Sequence, residues 1–162
     1  MPNIVITAIL VLCVFYNVQA EQYVFSQPVG PGGGTSFTLG GDGPITAIRL
    51  WERYNSYITG IQFRYGNTWS ALIGLESGMP KELELFKGET FIQVSGKYSN
   101  VIHSIVFITN KGRMLQAGQP LGNSFNMYAP TKDTELILIS GQNRGGSFTF
   151  FGAHWGVPKY YV

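Results

Sequence analysis

The residues best suited to bind a ligand lie in three short segments that are polar and rich in glycine. They are residues 30–34 (Gly-Pro-Gly-Gly-Gly), 96–100 (Gly-Lys-Tyr-Ser-Asn) and 141–147 (Gly-Gln-Asn-Arg-Gly-Gly-Ser). Glycine lets the backbone approach a ligand closely, and amide, hydroxyl and ammonium groups supply the donors and acceptors that a hydroxyl-rich molecule needs. The same composition also suits ordinary solvent-exposed turns, so the segments by themselves leave both interpretations open.

The chain carries little that favours catalysis or metal binding. Its two histidines, His103 and His154, have no acidic residue at ligand spacing, and no strained turn that would present a nucleophile is recognisable. Glu82 and Glu84 alternate with apolar residues, so we expect both on the solvent face of a strand. A phosphate cradle needs a helix after its glycines, but a strand pattern begins at Thr35. The sequence therefore predicts a protein that is not an enzyme, with no metal and no cofactor.

Aromatic side chains offer a second way to hold a sugar, because a ring packs on the apolar face of a pyranose. Alternate residues of a strand face the core, however, so we assign most aromatic residues within strand patterns to the interior. Trp51, Tyr54 and Tyr57 fall in a predicted hairpin loop. We expect these three side chains to be exposed.

A threefold repeat must position these segments. Strand pairs of alternating β-branched and aromatic residues occur at 45–66, 91–109 and 136–152, and Ile61 and Ile105, in equivalent strands, are 44 residues apart. A period in the forties built of short strands indicates a pseudo-threefold all-β protein. About twelve short strands and no helix are predicted. This pattern fits either a β-trefoil or a β-prism of three four-stranded antiparallel sheets.

The remaining composition is typical of a small secreted protein. Residues 1–20 contain no charged side chain and end on small residues, as in a secretory signal peptide cleaved after Ala20. The mature chain, 21–162, is expected to be one domain without a membrane span. Cys13, the only cysteine, lies in the signal, and a net charge of +2 is too weak to indicate nucleic acid as a partner. We expect the protein in the extracellular space or the lumen of a secretory granule.

Eight stretches of the chain, taken in order, resemble the jacalin-related lectins. They are residues 30–34, 42–49, 64–70, 92–98, 106–113, 124–126, 139–141 and 152–155. The resemblance therefore extends over nearly all of 21–157. It implies a jacalin-like β-prism rather than a trefoil, carbohydrate binding rather than catalysis, and no cofactor.

The same resemblance implies where a sugar would lie. In that family one end of the prism holds the ligand between the glycine-rich loop and the loops of the second and third repeats. The corresponding carbohydrate-binding residues of this chain would be Gly33, Gly34, Lys97, Tyr98, Ser99, Gly146, Ser147, Phe148 and Thr149. The third loop of the family usually ends in an aspartate that accepts bonds from two hydroxyls of mannose, and here Thr149 takes its place. Since a charged acceptor contributes about 1.5–3 kcal/mol, we expect a weakened mannose site.

Two hypotheses of different classes follow. The first is a secreted jacalin-type lectin that binds mannose-type or sulfated glycans, or glycoproteins that carry them, at the loop end of the prism. Sulfated glycosaminoglycans would be held by four cations, Arg53, Lys97, Lys111 and Arg113. The alternative is a packaging protein of secretory granules or mucus that acts by protein–protein contact and retains only a degenerate sugar site.

Overall fold

Thirteen β-strands and no helix make up residues 23–157, the part of the chain that the structure, a computed structural model, describes. In chain order the strands are β1 (Val24–Phe25), β2 (Thr35–Leu39), β3 (Ile45–Glu52), β4 (Ile58–Tyr65), β5 (Thr68–Trp69), β6 (Ile73–Gly74), β7 (Lys81–Glu84), β8 (Phe91–Tyr98), β9 (Ile102–Thr109), β10 (Met114–Gly118), β11 (Asn123–Tyr128), β12 (Glu135–Arg144) and β13 (Ser147–Gly156). The described range accordingly offers no helix that could cross a membrane. The predicted signal peptide lies outside the described residues.

The strands form three antiparallel sheets, each built around one long hairpin. The first sheet has the order β1-β13-β12-β2, the second β10-β9-β8-β11, and the third β5-β4-β3-β7, with β6 also pairing with β4. The first and last of these strands pair with each other, which ties the two ends of the described range into one sheet. The predicted three-sheet β-prism is confirmed, although the third sheet has five strands rather than four.

Aromatic side chains from all three sheets meet in one core. Phe63 of the third sheet and Phe107 of the second are fully buried, with ring centroids 5.9 Å apart in an edge-on arrangement. Phe125 of the second sheet lies 6.2 Å from Phe151 of the first. Burying one such side chain contributes about 1.5–3 kcal/mol. These contacts join the three sheets through one shared core.

Each central hairpin carries a β-bulge at the same place. The residue left unpaired by the bulge is Thr59 in β4, His103 in β9 and Thr149 in β13. Each bulge lies beneath a glycine of positive φ whose added Cβ would collide with the carbonyl oxygen of the bulged residue. These glycines are Gly74 (94°), Gly118 (79°) and Gly30 (104°), at steps of 44 residues. The three bulged residues are therefore equivalent positions of the repeat. A bulge changes the direction of the side chain that it carries.

The hairpin turns are shorter than the sequence predicted. β8 continues through Tyr98 and β12 through Arg144. The segments 96–100 and 141–147, expected to be loops, are therefore largely strand. The polar side chains of these segments do not end the strands, because the backbone hydrogen bonds between paired strands form whatever side chain the exposed face carries. Only residues 99–101 and 145–146 remain as turns.

The expected exposure of Trp51 is wrong. Trp51 belongs to β3, which continues to Glu52, and only 3% of its surface is exposed. Its ring packs close to the backbone of Gly60 on the paired strand. Tyr54, in the turn that follows, is 89% exposed, as expected.

Candidate functional site

The turns of the three central hairpins are gathered at one end of the prism, which we call the loop end. The Gln119 N–H donates to the Ser56 carbonyl of the first hairpin at 2.9 Å and to the His103 carbonyl of the second at 3.1 Å. Ser147 of the third hairpin lies close enough to the Tyr57 hydroxyl of the first to help lower its pKa, after the larger effect of Arg53. These contacts fix the relative positions of the turns 53–57, 99–101 and 145–146.

The third hairpin closes with a two-residue turn made of glycine. Gly145 and Gly146 have φ values of 56° and 83°, and a two-residue hairpin turn with both central residues in this region strongly favours glycine. The Gly146 N–H donates to Asn143 Oδ1 at 3.1 Å. The amide nitrogen of Asn143 is buried without a partner, so one donor beside this turn is uncommitted.

The glycine-rich segment is clamped onto the third hairpin. The Gly32 N–H donates to the Thr149 carbonyl at 3.0 Å, and the Gly33 N–H donates to Gln142 Oε1 at 2.5 Å. A Cβ at Gly34 would collide with the Asn143 carbonyl. The segment needs glycine for this close approach to the hairpin, and the N–H of Gly33 is already committed to Gln142.

Thr149 holds this segment in place. Its side chain points to the glycine-rich segment, and its hydroxyl donates to the Gly33 carbonyl at 2.6 Å, with the Gln142 carbonyl as a more distant second acceptor at 3.2 Å. Thr149 is only 5% exposed. The side chain of Phe148 is fully buried, with its ring 5.5 Å from Phe37. For these two predicted binding residues, contact with a ligand would be restricted to the backbone.

Arg144, which was not among the binding residues expected from the sequence, lies beside the glycine-rich segment. The guanidinium of Arg144 lies so close to Gly33 that a Cβ there would collide with it. Arg144 is exposed at the end of β12. Arg144 belongs to the polar segment 141–147 that the sequence pointed out as a possible binding segment. Only the register of β12, however, places its side chain over the glycine-rich segment.

The predicted binding residues of the second repeat have structural partners of their own. Lys97 Nζ lies 3.4 Å from the Gly122 carbonyl, and the ring of Tyr98 lies 6.2 Å from Phe125. Ser99 Oγ is 2.8 Å from His103 Nε2. Within residues 23–157, no described hydrogen bond joins these three side chains to the glycine-rich segment, so the structure groups the first and third predicted loops more tightly than the second.

The four cations expected to bind sulfated glycans do not form one patch. Arg53 and Lys97 lie toward the loop end, whereas Lys111 and Arg113 lie in and after the turn between β9 and β10, at the other end of β9. Arg113 donates to the buried carboxylate of Glu89 at 2.7 Å. The length of a strand therefore separates one pair of these cations from the other, and Arg113 is already paired with Glu89.

The two histidines have separate structural surroundings. His154 Nε2 is 2.8 Å from Ser140 Oγ, and its ring centroid is 4.6 Å from that of Phe25. Burial lowers the pKa of His154. His103 is the bulged residue of the second hairpin, and its Nδ1 is buried without a partner. Neither arrangement brings a histidine to the glycine-rich segment.

A three-sheet prism with a glycine-rich segment docked on a hairpin turn has the architecture of a sugar-binding β-prism protein. The Jacalin-like lectin domain matches residues 26–154. The chain therefore belongs to the jacalin-like lectin family, a class of carbohydrate-binding proteins. The family and the fold expected from the sequence are both confirmed.

Individual relatives agree with this assignment. Zymogen granule membrane protein 16 of Homo sapiens is 43% identical over 144 residues, covering 86% of this chain and 84% of the relative. The crystal structure of a prostate-specific WGA16 glycoprotein lectin matches with a TM-score of 0.74 and 32% identity, covering 84% of this chain and 100% of that chain. An artocarpin–mannotriose complex matches with a TM-score of 0.69 at 22% identity, covering 85% and 99%, and this likeness concerns the fold alone.

Proposed function

We propose that this protein is a secreted, non-enzymatic lectin that binds glycans or glycoproteins at the loop end. The proposed site comprises Gly33, Gly34, Lys97, Tyr98, Ser99, Gly146, Ser147, Phe148 and Thr149, with Phe148 and Thr149 acting through their backbone. Family membership supports the ligand class. The relatives named zymogen granule membrane protein support a secretory-granule lumen or the extracellular space as its location.

The position of the Arg144 guanidinium against Gly33 is the observation from which we infer the kind of glycan that binds. The hydroxyl of Thr149 is engaged by backbone carbonyls, and none of the proposed site residues carries a carboxylate. An arginine presents several N–H donors in a planar fork that matches the oxygens of a sulfate or carboxylate. The site therefore favours sulfated or otherwise acidic glycans over mannose.

The experiment compares a heparin-derived oligosaccharide with its chemically desulfated form, using calorimetry on the mature protein. Arg144→Gln should weaken binding of the sulfated form at least about tenfold, because bonds to a charged partner contribute about 1.5–3 kcal/mol. Lys132→Gln is the matched control, since Lys132 is an exposed cation just before the opposite end of β12. Binding by the wild type should also weaken as salt is raised. Equal losses in the two variants would show diffuse charge attraction rather than a site.

The packaging hypothesis is supported by one specific observation. Thr149 stands where the family usually has an aspartate, and its hydroxyl is turned to Gly33 and away from solvent, as in a site that has lost its sugar. If neither the sulfated nor the desulfated oligosaccharide binds, and a glycan array shows no signal, the protein acts by protein–protein contact. Such an outcome would overturn the lectin proposal while leaving the fold assignment intact.

A further inference from the structure

The connection 85–90, between β7 and β8, holds a phenylalanine side chain in solvent. Phe86 is 65% exposed. Its N–H donates to Glu89 Oε2 at 2.9 Å, and the Glu89 N–H donates to the Phe86 carbonyl at 2.9 Å. The Glu89 side chain is fully buried and also accepts from the Thr109 hydroxyl at 2.6 Å. Because this turn is anchored on a buried carboxylate, the exposure of Phe86 is a fixed feature of the fold.

A second turn, 110–113, packs beside the first. The Asn110 amide nitrogen donates to the Gly88 carbonyl at 3.1 Å. The guanidinium carbon of Arg113 lies 4.2 Å from the centroid of the Phe86 ring. The two turns therefore form one rigid surface at the end of the prism opposite the loop end. We call it the far-end surface, and its residues are Phe86, Lys87, Lys111, Arg113 and Met114.

The far-end surface carries uncompensated positive charge. Arg113 is balanced by the carboxylate of Glu89 at 2.7 Å. Lys87 and Lys111 are exposed, and within residues 23–157 their ammonium groups have no described hydrogen bond or ion pair. Two free ammonium groups therefore lie on the turns that present the phenyl ring.

Three exposed carboxylates lie at the same end of the prism. Glu84 is paired with Arg64 at 2.6 Å. Asp42 and Asp133 lie in the turns before β3 and β12, which are not the turns of the far-end surface. None of the three carboxylates is paired with Lys87 or Lys111, so the surface keeps its positive charge.

Apolar side chains distinguish between two kinds of anionic partner. Besides Phe86, Met114 is 60% exposed at the start of β10, where it pairs with the half-buried Ile108. A sulfated polysaccharide would use the cations and leave the phenyl and thioether groups in water. An anionic bilayer uses both, because apolar side chains enter the boundary of headgroups and acyl chains while lysines reach the headgroups.

We propose that the far-end surface docks the protein on an anionic lipid bilayer. Phe86 and Met114 enter the headgroup boundary, and Lys87 and Lys111 contact the anionic headgroups. Arg113 is a positioning residue that packs on the Phe86 ring. Docking in this way leaves the loop end directed away from the bilayer, so the inference goes beyond the proposed function and does not depend on it.

The test is co-sedimentation of the mature protein with vesicles of phosphatidylcholine alone or of an equimolar mixture with phosphatidylserine. Only the mixed vesicles should bind the protein, and added salt should weaken the binding. Lys87→Gln and Lys111→Gln should each weaken it about fivefold, and Phe86→Ala about tenfold. The matched controls are Arg53→Gln and Tyr54→Ala, a neighbouring exposed cation and aromatic residue in a turn of the loop end, and both should bind as the wild type does.

A second readout reports contact with the lipid directly. The tryptophan of Phe86→Trp should emit at shorter wavelength on mixed vesicles and be quenched by brominated lipid, whereas that of Tyr54→Trp should not change.

The outcomes separate this inference from the proposed function. Losses confined to the Phe86, Lys87 and Lys111 variants support the bilayer surface. No binding of the wild type to mixed vesicles, or equal losses in the loop-end controls, would overturn it. If the two lysine substitutions weaken binding of the heparin-derived oligosaccharide but not of vesicles, the surface belongs to a sulfated polysaccharide and the proposal is wrong. Failure of every glycan to bind would overturn the lectin proposal and leave this one standing.

Discussion

Thr149 and Thr59 form a natural matched pair for testing how the loop end is held together. Both are bulged residues at equivalent positions of the repeat, and both are almost fully buried. The hydroxyl of Thr149 donates to backbone carbonyls, whereas that of Thr59 has no partner. Replacing each by valine keeps the branched shape and removes only the hydroxyl. The two substitutions should therefore have different effects on stability.

The expected magnitudes follow from the state of each hydroxyl. A net intramolecular hydrogen bond contributes about 1 kcal/mol, and the Gly33 carbonyl that loses its donor is at an exposed residue, where water can replace it. Thr149→Val should therefore lower the free energy of unfolding by about 1 kcal/mol. Burying a hydroxyl without a partner costs about 1–3 kcal/mol, so Thr59→Val should be neutral or stabilise by about 1 kcal/mol. The two variants should therefore differ by about 1–2 kcal/mol in their free energy of unfolding.

Urea unfolding followed by tryptophan fluorescence measures this difference. With a slope of about 1–3 kcal/mol per molar urea, the two midpoints should be separated by about 1 M. Hydrogen exchange gives a local readout, because Thr149→Val should also speed exchange of the Gly32 and Gly33 amides, which are clamped onto the hairpin. Equal destabilisation by the two substitutions would refute the reasoning, since it would mean that the Thr59 hydroxyl is bonded in solution.

Three further substitutions test other parts of the fold by urea unfolding. Tyr65→Phe should cost about 1 kcal/mol, because its buried hydroxyl bonds two backbone carbonyls, whereas Tyr54→Phe at an exposed position should cost nothing. Burial raises the pKa of Glu89, but bonds from a backbone N–H, a threonine and an arginine outweigh it and hold the pKa below the ordinary carboxyl value. The contribution of Glu89 to the free energy of unfolding is therefore fully present above the ordinary carboxyl pKa, and it is lost as the pH falls through the lowered pKa. Glu89→Gln should reduce the loss of stability at acid pH. An unchanged loss would contradict the assignment. Gly74→Ala should be far more damaging than Gly78→Ala, because both have positive φ but only the Cβ at Gly74 collides with backbone, and equal costs would show that the collision relaxes.

The strand pattern was sufficient to predict three repeated hairpins, whereas the family resemblance was needed to choose the β-prism over the β-trefoil. Alternating apolar residues fix which face of each strand is buried, and this property is local, so the three hairpins could be read from residues such as Ile61 and Ile105. The 44-residue step between them is the same step that separates Gly30, Gly74 and Gly118 in the structure. The ends of β8 and β12 were not predicted, because polar residues on an exposed strand face give no signal that distinguishes strand from loop.

The arrangement of the site could not be predicted from local sequence patterns, because its residues lie far apart in the chain. Gly33 and Thr149 belong to different segments, and only the docking of the glycine-rich segment on the third hairpin brings them together. Arg144 was visible as part of a polar segment, but its position over Gly33 depends on the register of β12 with β2. Conversely, Lys111 and Arg113 were grouped with Arg53 by charge alone, and strand length places them at the other end of β9.

Thr149 shows most clearly what sequence and structure each determined. The sequence determined that a neutral hydroxyl stands where the family usually has a carboxylate, which is a fact of residue type. Tertiary structure decided where that hydroxyl points, because a bulge in β13 re-aims the side chain toward the Gly33 carbonyl. A bulge arises from the pairing of two strands, and a single strand's pattern contains no record of it. Residue types fixed the sheets and the chemistry available, whereas strand register decided which groups remain free to bind a ligand.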